Sequence, residues 1–308
     1  IWKNYYKITD SIFVIGDNIM IDLKGNEYNV KNYEEKYRKI QLIELEILNE
    51  VDRICRKHGI KYYLCGGTLL GAVRHSGFIP WDDDLDIFFP RKDYIKFAEI
   101  AQKELPDTMF YQDWHNEFDY PYNFAKIRMN GTKFCQNEIQ HLNMHHGIFI
   151  DIFPLDTVPS DERERTAYLS KVTRLKTLMA IRYMSFKKNG RLRSLPECVA
   201  IFLSRLFFSK KQIHNKLDRL IMKYDYQDTG LFGQETGMNA LKEVYPVKWF
   251  SKQGAISFEG KEFPCTENKY IDEYMTFFYG DYMTPPPDEK KCQVHDTTSI
   301  DFGDYFND

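Results

Sequence analysis

Nine residues, Trp81-Asp82-Asp83-Asp84-Leu85-Asp86-Ile87-Phe88-Phe89, constrain the fold more than any other stretch of this chain. Side chains alternate faces along a strand. In a strand that begins near Asp82, Asp84 and Asp86 share one face, and Leu85, Ile87 and Phe89 share the other. The apolar side supplies a core anchor. The two same-face carboxylates repel unless a divalent cation lies between them. An oxygen pair of this kind suits Mg²⁺ (or Mn²⁺), with waters and substrate phosphates completing the octahedron. A solvated acidic turn is the plain reading of an isolated Asp triplet, but the apolar residues beside it favour an ordered strand.

A third carboxylate stands alone on the apolar strand Gly147-Ile148-Phe149-Ile150-Asp151-Ile152-Phe153, which Pro154 is expected to end. A buried carboxylate without a partner is costly, so Asp151 needs a metal or a base. Gly66-Gly67-Thr68 follows a predicted strand, Ile60–Cys65, and opens a helix, where backbone N–H groups hold phosphate oxygens. Phe124–Phe134 reads as a hairpin about Asn130-Gly131. It sets Lys126 and Arg128 on one face, either as a solvated strand face or as two cations that clamp phosphate charge. Arg74-His75, ahead of the acidic strand, offers the same service.

Between Lys31 and His58 apolar residues recur at helical spacing, and Gly59 supplies the stop. Tyr94–Leu105 is a further helix closed by Pro106, and Ser11–Tyr28 reads as a hairpin about Gly16-Asp17-Asn18. Up to about Pro159 the order of helices and strands describes a mixed α/β (α+β) domain on one sheet. Hydrophobic residues at 43% and charged residues at 28% exclude a disordered, collagenous or coiled-coil chain. The 23 Phe, 21 Tyr and 4 Trp leave ample aromatic material for a core and for pockets. No apolar run approaches the ~20 residues of a membrane span, and residues 1–10 carry no apolar signal core. Six cysteines without a C-x-x-C pair read as reduced thiols of a cytoplasmic protein.

From Arg163 to Lys223 sixteen Lys or Arg face only Glu164, Glu197 and Asp218, a net of +13 in a chain of net −3. Leu169, Val172, Leu175, Met179 and Tyr183 recur every three or four residues, so this segment is mostly amphipathic helix. Its charge suits solvated helix faces, nucleic acid or an anionic membrane. The aromatics form apolar rows rather than stacking platforms. That speaks against nucleic acid and leaves solvated faces or a peripheral contact with the inner face of the plasma membrane through this segment, including the rows Leu175–Tyr183 and Ile201–Phe208. Cys135, His141, His145 and His146 have zinc-type donors at no standard spacing. The other reading is a mobile loop with His146 near the substrate. Trp81, Tyr111, Trp114, Tyr120, Tyr122 and Phe124 offer rings that could cage a quaternary ammonium, or simply core.

Leu64–His75 followed by Gly77–Ile87 resembles the core motif of the LicD family of phosphotransferases, part of the nucleotidyltransferase superfamily, nearly letter for letter. Ile150–Asp156 matches the family's second block. Phe258-Glu259-Gly260, Tyr279-Gly280-Asp281-Tyr282-Met283, Pro286-Pro287 and His295 match its C-terminal blocks. The resemblance runs from about Lys39 to His295 and is loose between Ser160 and Trp249. It implies a nucleotidyltransferase-like core sheet with flanking helices and a basic helical segment. With the N-terminal hairpin and the basic segment read from the residues, the chain divides into an N-terminal hairpin extension (1–30), a catalytic core (31–158), the basic segment (159–250) and a C-terminal segment completing the site (251–308). The resemblance further implies transfer of phosphocholine from CDP-choline to a glycan precursor, lipid-linked or soluble, with release of CMP. Acceptors of this family are often assembled on a membrane lipid, which favours the membrane contact over solvated faces for the basic segment. The related fukutin group moves ribitol phosphate from CDP-ribitol. By motif, Gly66, Gly67 and Thr68 map to the nucleotide-phosphate loop. Asp84, Asp86 and Asp151 map to the catalytic metal site, and Arg74, His75, Lys126, Arg128 and His295 stand on the substrate side. The same carboxylates would serve a nucleotidyltransferase that uses a nucleoside triphosphate.

Overall fold

Phe149-Ile150-Asp151-Ile152-Phe153-Pro154-Leu155-Asp156-Thr157 is apolar on both faces apart from its two aspartates and its terminal threonine, the pattern of a strand covered from both sides. It forms β9 (Phe149–Thr157), and all nine residues are buried. The computed structural model describes residues 13–14, 19–21, 27–188, 190–237, 240–287, 291 and 295–306, with backbone only for those before residue 35.

β9 is central to a 7-stranded sheet. Along one edge it pairs in parallel with β5 (Asp86–Pro90), with Asp86 opposite Asp151 and Phe88 opposite Phe153. The short β4 (Tyr63–Leu64) flanks β5, so the strand expected over Ile60–Cys65 shrinks to the two residues that pair with Ile87 and Phe88. Along the other edge β9 pairs first with β7 (Ala125–Met129), which carries β6 (Met109–Gln112), and then with β12 (Leu231–Gly233), which carries β13 (Val244–Pro246). Pro154 does not end β9, contrary to expectation. The Asp151 N–H donates to Leu85 O on the β5 side, so the Pro154 nitrogen faces the opposite edge. There β7 pairing has ended at Ile152 and β12 pairing has not begun, so the missing N–H costs no ladder bond.

The expected hairpin about Asn130-Gly131 is also replaced. β7 already has β6 on one edge and β9 on the other. After the turn at Gly131 (φ +76°), β8 (Lys133–Gln136) pairs instead with β16 (Thr297–Asp301) near the C-terminus. β1 (Phe13–Val14), β2 (Ile19–Ile21) and β3 (Glu27–Asn29) form a small antiparallel sheet, while the Gly16-Asp17-Asn18 turn lies outside the described residues.

α1 (Val30–His58) buries Ile40, Ile43, Ile47, Val51 and Ile54, one stripe at helical spacing, and Gly59 in the left-handed region closes it. α2 (Gly66–His75) and α3 (Arg91–Glu104) flank β5, α3 through Phe97 against Phe89. A second core lies beside the sheet and touches it through Val158, Leu231 and Val244. There Leu169, Val172 and Met179 of α4 (Glu162–Tyr183) meet Ile213, Leu217 and Ile221 of α6 (Lys210–Ile221). Between these helices run β10 (Lys187–Lys188), β11 (Arg191–Leu192) and α5 (Leu195–Phe207). The apolar row Leu175–Tyr183 was expected to meet a membrane. Instead Met179 and Tyr183 are buried in this second core, with Leu175 and Leu178 packed against it. The C-terminal part adds the hairpin β14 (Gly254–Phe258) and β15 (Lys261–Cys265) and the helix α7 (Ile271–Tyr279). Among the described residues no helix is long and apolar enough to cross a membrane.

His214 of α6 links the second core to the segment between β6 and β7. Its buried ring stacks on Trp114 at 4.8 Å, and its nitrogens pair with Asn123 Oδ1 (2.8 Å) and the Tyr183 hydroxyl (2.9 Å). Burial, helped by His115, lowers its pKa to about 3. Between about pH 6.5 and that value only the unfolded chain takes up the proton. His214 therefore contributes fully above about pH 6.5 and loses about 1.4 kcal/mol per pH unit as pH falls below it. We expect the stability of the wild type to fall more steeply from pH 6.5 to 5 than that of a His214→Asn variant, as read from denaturant midpoints. Parallel slopes would contradict this role.

Candidate active site

The acidic residues gather where β5 begins. Gln41 of α1 donates Nε2 to the carbonyl oxygens of Ile79 (3.2 Å) and Asp82 (3.1 Å). The Asp82 N–H also donates to Ile79 O, so residues 79–82 turn instead of extending. The strand expected from Asp82 accordingly starts at Asp86. Asp82, Asp83 and Asp84 curl together, each offering an oxygen within 4.8 Å of the others. The pair that the sheet itself sets side by side is Asp86 with Asp151.

Asp151 is not unpaired. Lys126 lies opposite it in the β7–β9 ladder and donates its ammonium to Asp151 Oδ1. That ammonium also sits 3.4 Å from the Phe149 ring centroid, with Tyr122 and Phe124 nearby. Burial lowers the Lys126 pKa to about 8, while Asp151 pulls it upward. Glu44, one turn beyond Gln41 on α1, is buried, and its Oε2 has no hydrogen-bond partner. Burial raises the pKa of Glu44, Asp82 and Asp86 well above the carboxylate range, and Asp84 adds to the rise in each. Asp84 itself is raised by burial, with His295 opposing.

Backbone conformation explains Gly66, and crowding explains Gly67. Gly66 has φ +52°, and a Cβ there would stand 3.5 Å from Asp86 Oδ2; a Cβ on Gly67 would stand 2.8 Å from Asp82 Oδ2. They are not a loop ahead of the helix but its first residues. Thr68 is buried, and its hydroxyl accepts the Asp86 N–H (2.8 Å), which ties the helix start to the start of β5. The Gly66 N–H donates to the Tyr274 hydroxyl (3.3 Å).

C-terminal residues close the cluster. His295 pairs with Asp83 through its N–H and Nδ1 (3.4 and 3.3 Å). Burial disfavours its charged form, but Asp83 and Asp84 outweigh this and raise its pKa. Glu259 accepts from Arg38 and from the Phe78 N–H, bracing the turn after α2. Arg74 donates to Tyr282 O (3.0 Å), and His75 meets the edge of Trp81. These links give the C-terminal motif residues positions that their spacing did not reveal.

Other expected participants lie elsewhere. Arg128 shares the Lys126 face, is fully buried and donates to Gln112 and to Gly147 O (2.6 Å), while its Nη2 has no hydrogen-bond partner among the described residues. Cys135, His141, His145 and His146 do not converge, and among the described residues the Asp82–Asp84 cluster is the one group with metal-ligand spacing. His146 bonds Leu142 O in its own loop, and His141 bonds Tyr183 O. Tyr111, Tyr120 and Phe124 are core. Glu44, Asp82, Asp83, Gln41 and Tyr274 were missed. Helical periodicity marked α1 as core-facing, and an acid on that stripe was the available signal for Glu44.

These residues fit a hard divalent cation. The donors are all oxygen, the negative charge exceeds what Lys126 and His295 offset, and a buried Glu44 oxygen lacks a partner.

Residues 59–188 match the family described as LicD/FKTN/FKRP, nucleotidyltransferase domain. The lipopolysaccharide cholinephosphotransferase LicD of Haemophilus influenzae is 30% identical over 275 residues, 84% of this chain and 95% of that protein. The chain belongs to the LicD family. Like its relatives it is a phosphotransferase. The human ribitol 5-phosphate transferase FKRP is 59% identical over a short stretch of 29 residues, 9% of this chain and 6% of that one. An uncharacterized protein of Rickettsia prowazekii is 37% identical over 93 residues, 30% of this chain and 35% of that one. The mixed sheet with flanking helices is the α/β fold that the LicD resemblance implied.

Removing one partner of the Lys126–Asp151 pair leaves a buried charge, at a cost of roughly 3–5 kcal/mol. We expect Lys126→Met and Asp151→Asn each to destabilise the metal-free protein, and the double variant to lose at least ~1 kcal/mol less than the two losses added. Denaturant unfolding in chelator measures the cycle, and strict additivity would remove the coupling.

Proposed function

We propose that this LicD-family phosphotransferase moves a phospho-alcohol, phosphocholine first, from a CDP-activated donor to a sugar hydroxyl of a cell-surface glycan or teichoic acid precursor, releasing CMP. The observation that carries this reading is the set of carboxylates at the Gly66–Gly67 helix start. The 30% identity to a protein named for cholinephosphate transfer to lipopolysaccharide supports the choice of alcohol. The short match to a ribitol 5-phosphate transferase supports ribitol phosphate as the second reading.

Asp84, Asp86 and Asp151 would hold Mg²⁺ or Mn²⁺, with Asp82 and Glu44 beside them. Bound there, the ion would supply positive charge to the donor pyrophosphate and the in-line transition state. The acceptor oxygen forms a bond to the phosphorus that carries the alcohol as the bond from that phosphorus to CMP breaks. Asp151 takes the acceptor proton, and Lys126 keeps that carboxylate oriented. The N-terminus of α2 faces the donor phosphates. Arg74, His75 and His295 line the substrate side, His295 held by Asp83. The acceptor, soluble or lipid-linked, meets the enzyme at the inner face of the plasma membrane.

Incubation with CDP-choline, CDP-ethanolamine, CDP-ribitol and CDP-glycerol in Mg²⁺ should release CMP from one donor above the rest, CDP-choline first. Pyrophosphate release from a nucleoside triphosphate, with no CMP from any donor, would overturn the reading. Asp84→Asn and Asp86→Asn should each cut transfer at least ~100-fold, since each removes charge on which the transition state depends. Near-normal turnover of either variant at saturating Mg²⁺ would remove that residue from the metal site.

A further inference from the structure

α5 (Leu195–Phe207) presents its apolar face outward. Only Ile201 and Ser204 of this helix are buried. Leu195 is 77% exposed, Phe202 58%, Leu206 62% and Phe207 66%, and Val199 and Leu203 are exposed as well. At ~100° per residue these six fall within an arc about 140° wide. Glu197 and Arg205, the two charged residues of the helix, fall outside that arc. Monomeric surfaces rarely leave so continuous an apolar patch uncovered.

The exposure is not a shortage of core. α4 and α6, the helices on either side in the chain, bury their apolar rows against each other. α5 is held beside them by polar links at its margins: Arg205 donates to Met184 O (2.8 Å), Arg193 to Ser185 O (2.8 Å) and Arg182 to Phe208 O (3.0 Å). The hairpin β10–β11 borders the patch. It adds exposed Leu192 to the apolar side and exposed Lys187, Lys188 and Arg191 to the rim. A groove of about 510 Å³ opens between this hairpin and the start of α5, lined by Lys188, Arg191, Arg193 and Ser194 among others.

Charge decides what covers the patch. From Lys187 to Lys211 the chain has seven Lys or Arg and one acid, Glu197, which is taken up by Ser194 and Arg193 in the cap of α5. A second copy of the chain would bring the same cations against these and repel. An anionic lipid surface answers both halves at once, with acyl chains for the arc and phosphate headgroups for the rim and groove.

We propose that α5 and the β10–β11 hairpin form a single membrane-docking surface, with the helix lying in the headgroup region of an anionic bilayer, its apolar arc inserted and Lys187, Lys188 and Arg191 on the phosphates. The inference deepens the membrane placement within the proposed function and rests on the exposed surface itself. It moves the contact from the whole basic segment to one helix and one hairpin.

The test uses the full chain and vesicles of phosphatidylcholine alone or in equal parts with phosphatidylglycerol, with no donor or acceptor present. The wild type should cosediment with the anionic vesicles at low salt, release at high salt as screening sets in, and bind phosphatidylcholine weakly. Phe202→Ser/Leu206→Ser/Phe207→Ser and Lys187→Glu/Lys188→Glu/Arg191→Glu should each weaken anionic binding at least tenfold while keeping the wild-type circular dichroism and melting temperature. A Phe202→Trp variant should shift its emission to the blue on anionic vesicles and be quenched by brominated acyl chains. Equal binding to both vesicle types, or an apolar triple variant that binds like the wild type, overturns the proposal. So does a concentration-dependent dimer that the apolar triple variant dissolves, because the patch would then be a contact between copies. CMP release with a short soluble acceptor should be unchanged in both triple variants. If it is absent from the wild type as well, the activity reading fails while vesicle binding still judges the docking surface.

Discussion

The parallel register of β5 on β9 is the constraint from which the rest of the site follows. It sets Asp86 beside Asp151 in a buried sheet, and the turn held by Gln41 brings Asp82, Asp83 and Asp84 to the same place. Like charges at this density in a region of low polarity are unstable alone, and burial drives several of their pKa values upward. The surrounding residues compensate. Lys126 pairs with Asp151 beneath aromatic rings, His295 pairs with Asp83, and glycine at 67 leaves room for an Asp82 oxygen that a Cβ would meet at 2.8 Å. A divalent cation held here, as proposed, would complete the compensation and supply positive charge for phosphate transfer.

The C-terminal third of the chain is part of this arrangement. Glu259 braces the end of α2, Tyr274 accepts the Gly66 N–H, Tyr282 accepts from Arg74, and β16 pairs with β8 shortly after His295 reaches Asp83. Residues some two hundred positions apart thus hold both ends of α2 in place. The basic helices have a different role. They carry their own core, contact the sheet side through Trp114 and His214, and leave α5 facing outward.

Much of the site was legible because its chemistry is local. The alternation of Leu85, Ile87 and Phe89 with aspartates marked an ordered acidic segment. Asp151 stood out on an apolar strand, and the motif from Leu64 to Ile87 pointed to the LicD family before any contact was known. What could not be read depended on partners distant in sequence. The Asn130-Gly131 turn signalled a hairpin, but β7 had its two edges filled by β6 and β9, so β8 went to β16. Pro154 looked like a strand end because its missing N–H matters only if that edge is paired, and here it lies at the changeover from β7 to β12. Asp151 and Lys126 are 25 residues apart, and nothing local announces their pairing. Glu44 appeared as one more polar residue of a long helix, because its meaning lies in the acids it is buried beside.

The most direct test of this account is thermal unfolding of the wild type at neutral pH and constant ionic strength, first in chelator and then with rising Mg²⁺. If the buried carboxylates form a cation site, Mg²⁺ raises the melting temperature along a saturating curve. At about a hundred times the dissociation constant the stabilisation reaches roughly 2.7 kcal/mol, worth a few degrees for a chain of this size. Na⁺ at matched ionic strength does not reproduce it. A melting temperature indifferent to Mg²⁺ would mean that Lys126, His295 and protonation alone hold the cluster together, and would contradict the central claim.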